Sequence, residues 1–152
     1  METSNLPFVS IIIPVYEDAE RLGLCLDALI QQTYPRTRFE IIVIDNGSTT
    51  LDLVKSVVER HNVDIFDVEI TPGSYAARNR GIDWAKGAVI AFTDSDCIPE
   101  QDWLEKGVDC LMSRSLDMVT GGIEVFPKDQ DSPNLFERYQ MATAFPDRKS
   151  TR

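Results

Sequence analysis

The chain has few of the residues that thiol-based metal sites, disulfide frameworks or nucleic-acid surfaces require. Its 152 residues include three cysteines, none in CxxC spacing, and a single histidine, so neither a zinc site nor a disulfide framework is expected. Lysine and arginine total 15 against 25 acidic residues, and the formal net charge of −10 argues against a nucleic-acid partner, which normally binds a basic patch. Reduced thiols favour a cytoplasmic location, and a place at the inner face of a membrane stays open.

Long apolar runs and the two commonest phosphate loops are also missing. No stretch approaches the ~20 apolar residues of a membrane span, and residues 1–5 do not resemble the start of a secretion signal. Neither GxGxxG nor GxxxxGK[ST] occurs, which excludes the two phosphate loops by pattern. The length and the 43% hydrophobic content suit one domain with a real core. We therefore expect a single domain over residues 1–152, with a polar tail over 145–152.

Apolar runs alternate with helical patterns along the chain, which predicts βαβ units in an α/β fold with a mostly parallel sheet. The predicted strands are 8–16, 39–45, 63–70, 88–96 and 117–126, the third being less apolar and nearer an edge. The predicted helices are 17–32 with Asp18 as its cap, 51–60, 74–86 with Ser74 as its cap, 100–113 and 133–144.

One apolar run ends abruptly at two carboxylates, Asp94 and Asp96. The run is typical of a buried strand with both faces covered, and the alternation of side chains points both aspartates the same way from its end. Divalent cations such as Mg²⁺ bind one or two carboxylates plus substrate phosphates, and ligands of open α/β sheets bind beyond the carboxyl ends of the strands. The pair is therefore a candidate metal–phosphate site. The alternative is that either aspartate merely caps a turn or the next helix.

Two further residues belong to the same predicted edge of the sheet. Asp45 ends the second strand and could accept a hydrogen bond from a nucleobase or a ribose, or could simply belong to the Asp-Asn-Gly-Ser turn. Arg78 lies near the start of a helix, where unpaired N–H groups favour anions, and its guanidinium suits phosphate. A weak surface ion pair is the alternative for Arg78.

Four motifs in this order resemble the family 2 glycosyltransferases: Val9–Tyr16, Glu40–Ser48, Gly73–Ile82 and Ala88–Asp96. The resemblance covers roughly residues 8–139. It implies the GT-A fold, a nucleotide-sugar-binding three-layer sandwich with a metal-binding D-x-D motif. The implied enzyme transfers a sugar from a nucleotide-sugar, a UDP-sugar in the first instance, to a hydroxyl of a glycan, lipid or protein acceptor, with inversion.

The resemblance also implies the roles of individual residues. Asp45 would hydrogen-bond the base, Arg78 would lie near the base and the diphosphate, and Asp94 would approach the ribose beside Ser95. Asp96, together with Asp94, would hold Mn²⁺ or Mg²⁺ against the diphosphate. The nucleoside pocket would be lined by Pro14, Val15, Tyr16 and Glu17.

The region 117–152 departs from the family pattern. It contains nothing that matches the acidic catalytic base or the Gln-x-x-Arg-Trp element, so the chain is expected to lack the acceptor side. A non-catalytic nucleotide-sugar-binding module is therefore the alternative function. A nucleotidyltransferase is disfavoured, because no Gly-rich, basic triphosphate loop follows the first strand. An open acceptor side would expose apolar surface, which predicts a homo-oligomer.

Overall fold

A computed structural model describes residues 6–127 and 131–144 of the chain. Four parallel strands form one sheet in the order β3-β2-β1-β4. The strands are β1 (Val9–Val15), β2 (Phe39–Asp45), β3 (Ile65–Val68) and β4 (Val89–Phe92); the helices are α1 (Ala19–Ile30), α2 (Leu51–Arg60), α3 (Ser74–Trp84), α4 (Trp103–Arg114) and α5 (Leu135–Thr143). The predicted α/β class with a parallel sheet is confirmed. None of the helices in the two described ranges is long and apolar enough to cross a membrane.

The alternating side chains of the central strands divide the core between the two faces of the sheet. On one face, Val9 and Ile11 of β1 pack with buried residues of α1, α2 and α4. On the other face, Ile12 packs with Ala77 of α3. Helices therefore cover both faces, and every residue of β1 and β2 is buried. This burial explains why the two central strands are continuous apolar runs rather than alternating ones.

The strand that leads to Asp94 is less buried than the sequence predicted. Within the described residues, β4 pairs with β1 alone and forms an edge of the sheet. Its residues are half-buried, and Phe92 is 45% exposed. The prediction of a central strand with both faces covered is therefore wrong. β3, which was expected nearer an edge, does lie at the opposite edge.

The starts of α1 and α3, which follow the carboxyl ends of β1 and β3, are capped differently. The Asp18 side chain accepts a hydrogen bond from the Arg21 backbone N–H at 3.4 Å, so the predicted cap of α1 is confirmed. At α3 the prediction is wrong, because the capping residue is Gly73 and Ser74 is the first helical residue. Gly73 has φ of 117°, a conformation that side chains other than hydrogen rarely allow. No side chain in the described parts of the chain caps α3, which leaves its first N–H groups open to a ligand.

The chain divides into two compact units, Met1–Leu116 and Asp117–Arg152. The described part of the second unit contains α5, whose start is fixed by reciprocal hydrogen bonds between Asn134 and Glu137. The predicted helix over 133–144 is thus confirmed, whereas the strand predicted over 117–126 is wrong, because this segment is irregular. The adjacent glycines Gly121 and Gly122 raise the entropy cost of fixing an extended chain. The predicted polar tail 145–152 lies outside the described residues.

Candidate functional site

A cleft of about 350 Å³ lies beyond the carboxyl ends of β1 and β4. The order β3-β2-β1-β4 places the topological switch point of the sheet between β1 and β4. Open α/β sheets bind ligands at such a point. The residues around the cleft come from four sequence regions that the parallel sheet brings to one edge. They are Pro14, Val15, Tyr16, Asp18, Arg21, Asn46, Ser74, Arg78, Asp94, Ser95 and Asp96.

The two aspartates after β4 are exposed at the cleft, while Ser95 between them is buried. Carboxylate oxygens of Asp94 and Asp96 and the Cys97 sulfur all lie within 4.8 Å of one another. Two carboxylates with room for further oxygen ligands suit Mg²⁺ or Mn²⁺, and the adjacent thiol adds a softer donor. The chemistry and spacing of these groups therefore fit a divalent cation.

The loop that carries the two aspartates rests on a buried cysteine of α1. The Cys25 thiol donates a hydrogen bond to the Asp94 backbone carbonyl, with a sulfur–oxygen distance of 3.7 Å. Burial, followed by the electrostatic influence of nearby Cys97, Asp96 and Asp94, raises the pKa of Cys25 to about 12. Cys25 therefore stays a neutral donor at neutral pH and supports the loop rather than reacting.

Arg78 reaches the cleft from the first turns of α3. Its guanidinium donates to Ser74 Oγ at 2.9 Å and to Asp94 Oδ1, and it lies 5.8 Å from the centre of the Tyr75 ring. The start of α3 is held in turn by Asn46, whose amide bonds the Glu69 carbonyl at 2.9 Å and the Gly73 N–H at 2.8 Å. A cation and an uncapped helix start thus converge on the same side of the cleft.

Asp45 differs from the exposed aspartates in its surroundings. It is fully buried at the end of β2, and its Oδ1 accepts hydrogen bonds from the Gly47 and Ser48 N–H groups at 2.9 and 2.8 Å. Its Oδ2 has no hydrogen-bond partner among the described residues. Asp45 is not among the residues that line the cleft, so the structure does not bring it together with Arg78, Asp94 and Asp96. An unpartnered buried carboxylate oxygen is costly unless a partner satisfies it.

Glu17 does not lie in the lining of the cleft. Its carboxylate accepts hydrogen bonds from the Thr49 N–H and the Thr50 hydroxyl, while its own N–H donates to Ser48 Oγ at 2.8 Å. These hydrogen bonds, the one from the Thr49 backbone first, lower the pKa of Glu17. Glu17 therefore connects the end of β1 to the loop after β2, and its φ of 53° shows the sharp turn that this requires.

Sequence reasoning missed four residues that line the cleft: Asp18, Arg21, Asn46 and Ser74. Asp18 and Ser74 had been considered only as helix caps. Each of the four lies within a few residues of the carboxyl end of a strand or in the first turn of the following helix. In a parallel sheet these positions meet at one edge, so their proximity to the strand ends was the available signal.

The sequence matches a family model along most of its length. Residues 10–151 match the model of glycosyl transferase family 2. The chain belongs to this family.

Two similar proteins come from Haloferax volcanii and Methanococcus voltae. The chain is 46% identical over 145 residues to "Glycosyltransferase AglE" of Haloferax volcanii, an alignment that covers 93% of this chain and 47% of the relative. It is 34% identical over 107 residues to a dolichyl N-acetyl-alpha-D-glucosaminyl phosphate 3-beta-D-2,3-diacetamido-2,3-dideoxy-beta-D-glucuronosyltransferase of Methanococcus voltae, covering 67% of this chain and 33% of that protein. The chain thus spans half or less of the length of these two relatives.

Solved structures of glycosyltransferases share the fold. The mannosyltransferase PcManGT of Pyrobaculum calidifontis, in complex with GDP-Man and Mn²⁺, aligns with a TM-score of 0.64 and 27% identity over 83% of this chain and 37% of that one. TarS of S. aureus, solved as residues 1–349 with UDP-GlcNAc, aligns with a TM-score of 0.59 and 24% identity over 80% and 38% of the two chains. The second likeness bears on the fold alone.

Proposed function

We propose that this chain is the donor-binding part of a glycosyltransferase that transfers a sugar from a nucleotide-sugar to an acceptor hydroxyl with inversion, in a metal-dependent reaction. The observation that carries the proposal is the convergence of Arg78, Asp94 and Asp96 on one cleft at the carboxyl edge of the sheet. The cleft combines candidate cation ligands, a phosphate-binding side chain and an uncapped helix start, which are the parts a nucleoside diphosphate requires.

The nucleoside would lie against the end of β1. Pro14 and Val15 are buried and Tyr16 is 61% exposed, so they offer an apolar wall beside an accessible aromatic ring. Asp45 would accept a hydrogen bond from the base through its unpartnered Oδ2, which is buried outside the cleft lining and would become accessible only if the end of β2 opened toward the cleft. Glu17 enters the proposal as a support for the 46–50 loop, because its carboxylate bonds that loop rather than the cleft.

The diphosphate would lie between α3 and the two aspartates. Arg78 would bind a phosphate oxygen, Asp94 would approach the ribose beside Ser95, and Asp96 with Asp94 would hold Mn²⁺ or Mg²⁺. A divalent cation there would offset the negative charge that develops on the leaving diphosphate. Arg78 would stabilise the same charge through its fixed donors.

UDP is the donor nucleotide we propose first, and GDP is the competing one because the PcManGT complex contains GDP-Man. Calorimetric titration of each nucleotide in Mn²⁺ and in EDTA tests the proposal. Binding is expected in Mn²⁺ and is expected to weaken at least about tenfold on chelation or in Asp96→Ala, because both remove the metal-linked contact to the diphosphate.

Asp109→Ala is the matched control, because it removes an exposed carboxylate from α4, away from the cleft. It is expected to bind like the parent protein. Failure of both nucleotides to bind in Mn²⁺ would refute the donor site. Tight binding without sugar transfer or donor hydrolysis would favour a non-catalytic nucleotide-sugar-binding module.

A further inference from the structure

Arg21 lines the cleft but has no role in the donor site proposed for Arg78, Asp94 and Asp96. It belongs to the first turn of α1, directly after the end of β1. Its Nε lies 2.7 Å from Asp18 Oδ2, and its Nη1 lies 3.8 Å from Asp96 Oδ2. The guanidinium is therefore placed between the cap of its own helix and the second aspartate of the D-x-D motif.

Arg21 and Arg78 approach the two aspartates from opposite sides. α1 packs on the face of the sheet that carries Val9 and Ile11, whereas α3 packs on the face that carries Ile12. Arg78 pairs with Asp94 and Arg21 lies beside Asp96. Each carboxylate of the motif thus has its own arginine, and the two guanidinium groups bracket the place where a diphosphate would meet the cation.

The ion pair of Arg21 with Asp96 has little value for stability, whereas its pair with Asp18 engages a carboxylate that is only 14% exposed. Its side chain is 61% exposed and that of Asp96 is 52% exposed. Ion pairs with such exposure contribute ~0–1 kcal/mol and exchange easily for another partner. The hydrogen bond with Asp18 raises the pKa of Arg21, although desolvation opposes it, so the side chain remains a cation. The Nη1 end of the guanidinium, which faces Asp96, is therefore available to a ligand while Nε stays on Asp18.

The balance of charge in the cleft favours such an exchange. Three carboxylates, Asp18, Asp94 and Asp96, face the two guanidinium groups in a chain of net charge −10. A diphosphate would be repelled by this set unless its carboxylates were neutralised and its arginines turned to phosphate. A divalent cation bound to Asp94 and Asp96 would neutralise the carboxylates. The two arginines would then be free to bind the phosphate groups.

We propose that Arg21 is a second diphosphate-binding residue. When the D-x-D carboxylates hold a divalent cation, the Arg21 guanidinium moves from Asp96 to a phosphate oxygen of the donor. The inference rests on the proposed function and adds to it a residue from the opposite face of the sheet. It implies that the diphosphate and the cation bind cooperatively. The cation takes Asp96 away from Arg21 and so frees Arg21 for the diphosphate, and the diphosphate takes Arg21 away from Asp96 and so frees Asp96 for the cation.

Calorimetric titrations of UDP and UMP in Mn²⁺ test this role. In Arg21→Ala, the dissociation constant for UDP is expected to rise about tenfold, because one charge-assisted hydrogen bond is lost. The dissociation constant for UMP should change less. The preference for UDP over UMP should therefore shrink. Arg21→Lys, which keeps the charge without the planar fork, should recover part of the preference.

Arg114→Ala is the matched control, because it removes an exposed arginine from the last turn of α4, outside the cleft. Circular dichroism would verify folding, and Arg21→Gln carries the same expectation if Arg21→Ala folds poorly. An unchanged UDP-to-UMP preference in a folded Arg21 variant, with normal metal-dependent UDP binding by the parent protein, would overturn the role of Arg21 alone. Absence of UDP and GDP binding by the parent protein would overturn the donor site and this inference together.

Discussion

Asp45 is the last residue of β2 and Asp94 lies two residues beyond the end of β4, and the structure gives the two carboxylates opposite surroundings. β2 is buried at every position, and Asp45 at its end is fully buried with one oxygen unpartnered. β4 is a half-buried edge strand, and Asp94 after it is exposed and bonded to Arg78. Similar sequence patterns thus yield a buried, unpartnered carboxylate oxygen in one place and an exposed ion pair in the other. Asp45 belongs to a strand that has neighbours on both sides, whereas Asp94 lies past the end of a strand that pairs with β1 alone among the described residues.

The largest expected effect compares the two strands directly. Ile42→Ala in β2 should lower the free energy of unfolding by about 2–5 kcal/mol, because a fully buried side chain leaves a cavity. Phe92→Ala in β4 should cost about 1 kcal/mol, because nearly half of that side chain is already exposed. Urea denaturation of both variants measures the difference. Equal costs would mean that the edge of β4 is covered in solution, as the predicted homo-oligomer would do.

An intermediate effect tests how closely α3 lies on the central strand. A methyl group at Gly81 would overlap the side chain of Ile12, which is fully buried and has no room to move. Gly81→Ala should therefore lower the free energy of unfolding by about 1–3 kcal/mol.

Gly107, inside α4, is the matched control for Gly81, because no atom of residues 6–127 or 131–144 lies within 4 Å of a methyl group added there. Gly107→Ala should raise the free energy of unfolding by up to about 1 kcal/mol through helix propensity. Thermal unfolding of the two variants would show shifts of opposite sign. Shifts of the same sign would contradict the close approach of α3 to β1.

The smallest effect concerns the edge strand β3. Asp67 accepts hydrogen bonds from Arg80 Nε at 2.7 Å and Trp84 Nε1 at 2.8 Å, both on α3. Burial alone would raise the pKa of Asp67, but the hydrogen bonds from Trp84, Val68 and Arg80 and the charge of Arg80 lower it overall. Asp67→Asn should lower the free energy of unfolding at pH 7 by about 1 kcal/mol.

The lowered pKa fixes the sign of the pH dependence. The stabilisation by Asp67 is present above its unfolded pKa of about 3.8 and is lost as the pH falls below that value toward the folded pKa. Denaturant titrations between pH 7 and pH 2 should therefore show a weaker acid-induced loss in Asp67→Asn than in the parent. Asp83→Asn, on the exposed side of α3, should leave the profile unchanged. Identical profiles for parent and Asp67→Asn would rule out this contribution.

Much of the architecture could be predicted because it depends on local patterns. The alternation of apolar runs and helical patterns predicted the parallel sheet, and the aspartate before α1 predicted its cap. The parallel arrangement in turn predicted that the ends of β1, β2 and β4 share one edge. The strand over 117–126 was predicted wrongly, because an apolar run with two glycines does not reveal whether a partner strand is available.

The amino-acid sequence by itself determined the fold class and the side chains offered at the edge of the sheet, since periodicity and strand-end residues act over a few positions. Tertiary structure alone decided which strand became an edge, which oxygen of Asp45 stayed unpartnered, and that Glu17 turned away while Arg21 entered the cleft. Those outcomes depend on contacts between α1, α3 and the ends of three strands, residues far apart in the chain. Local sequence patterns do not reveal contacts between residues that are far apart in the chain.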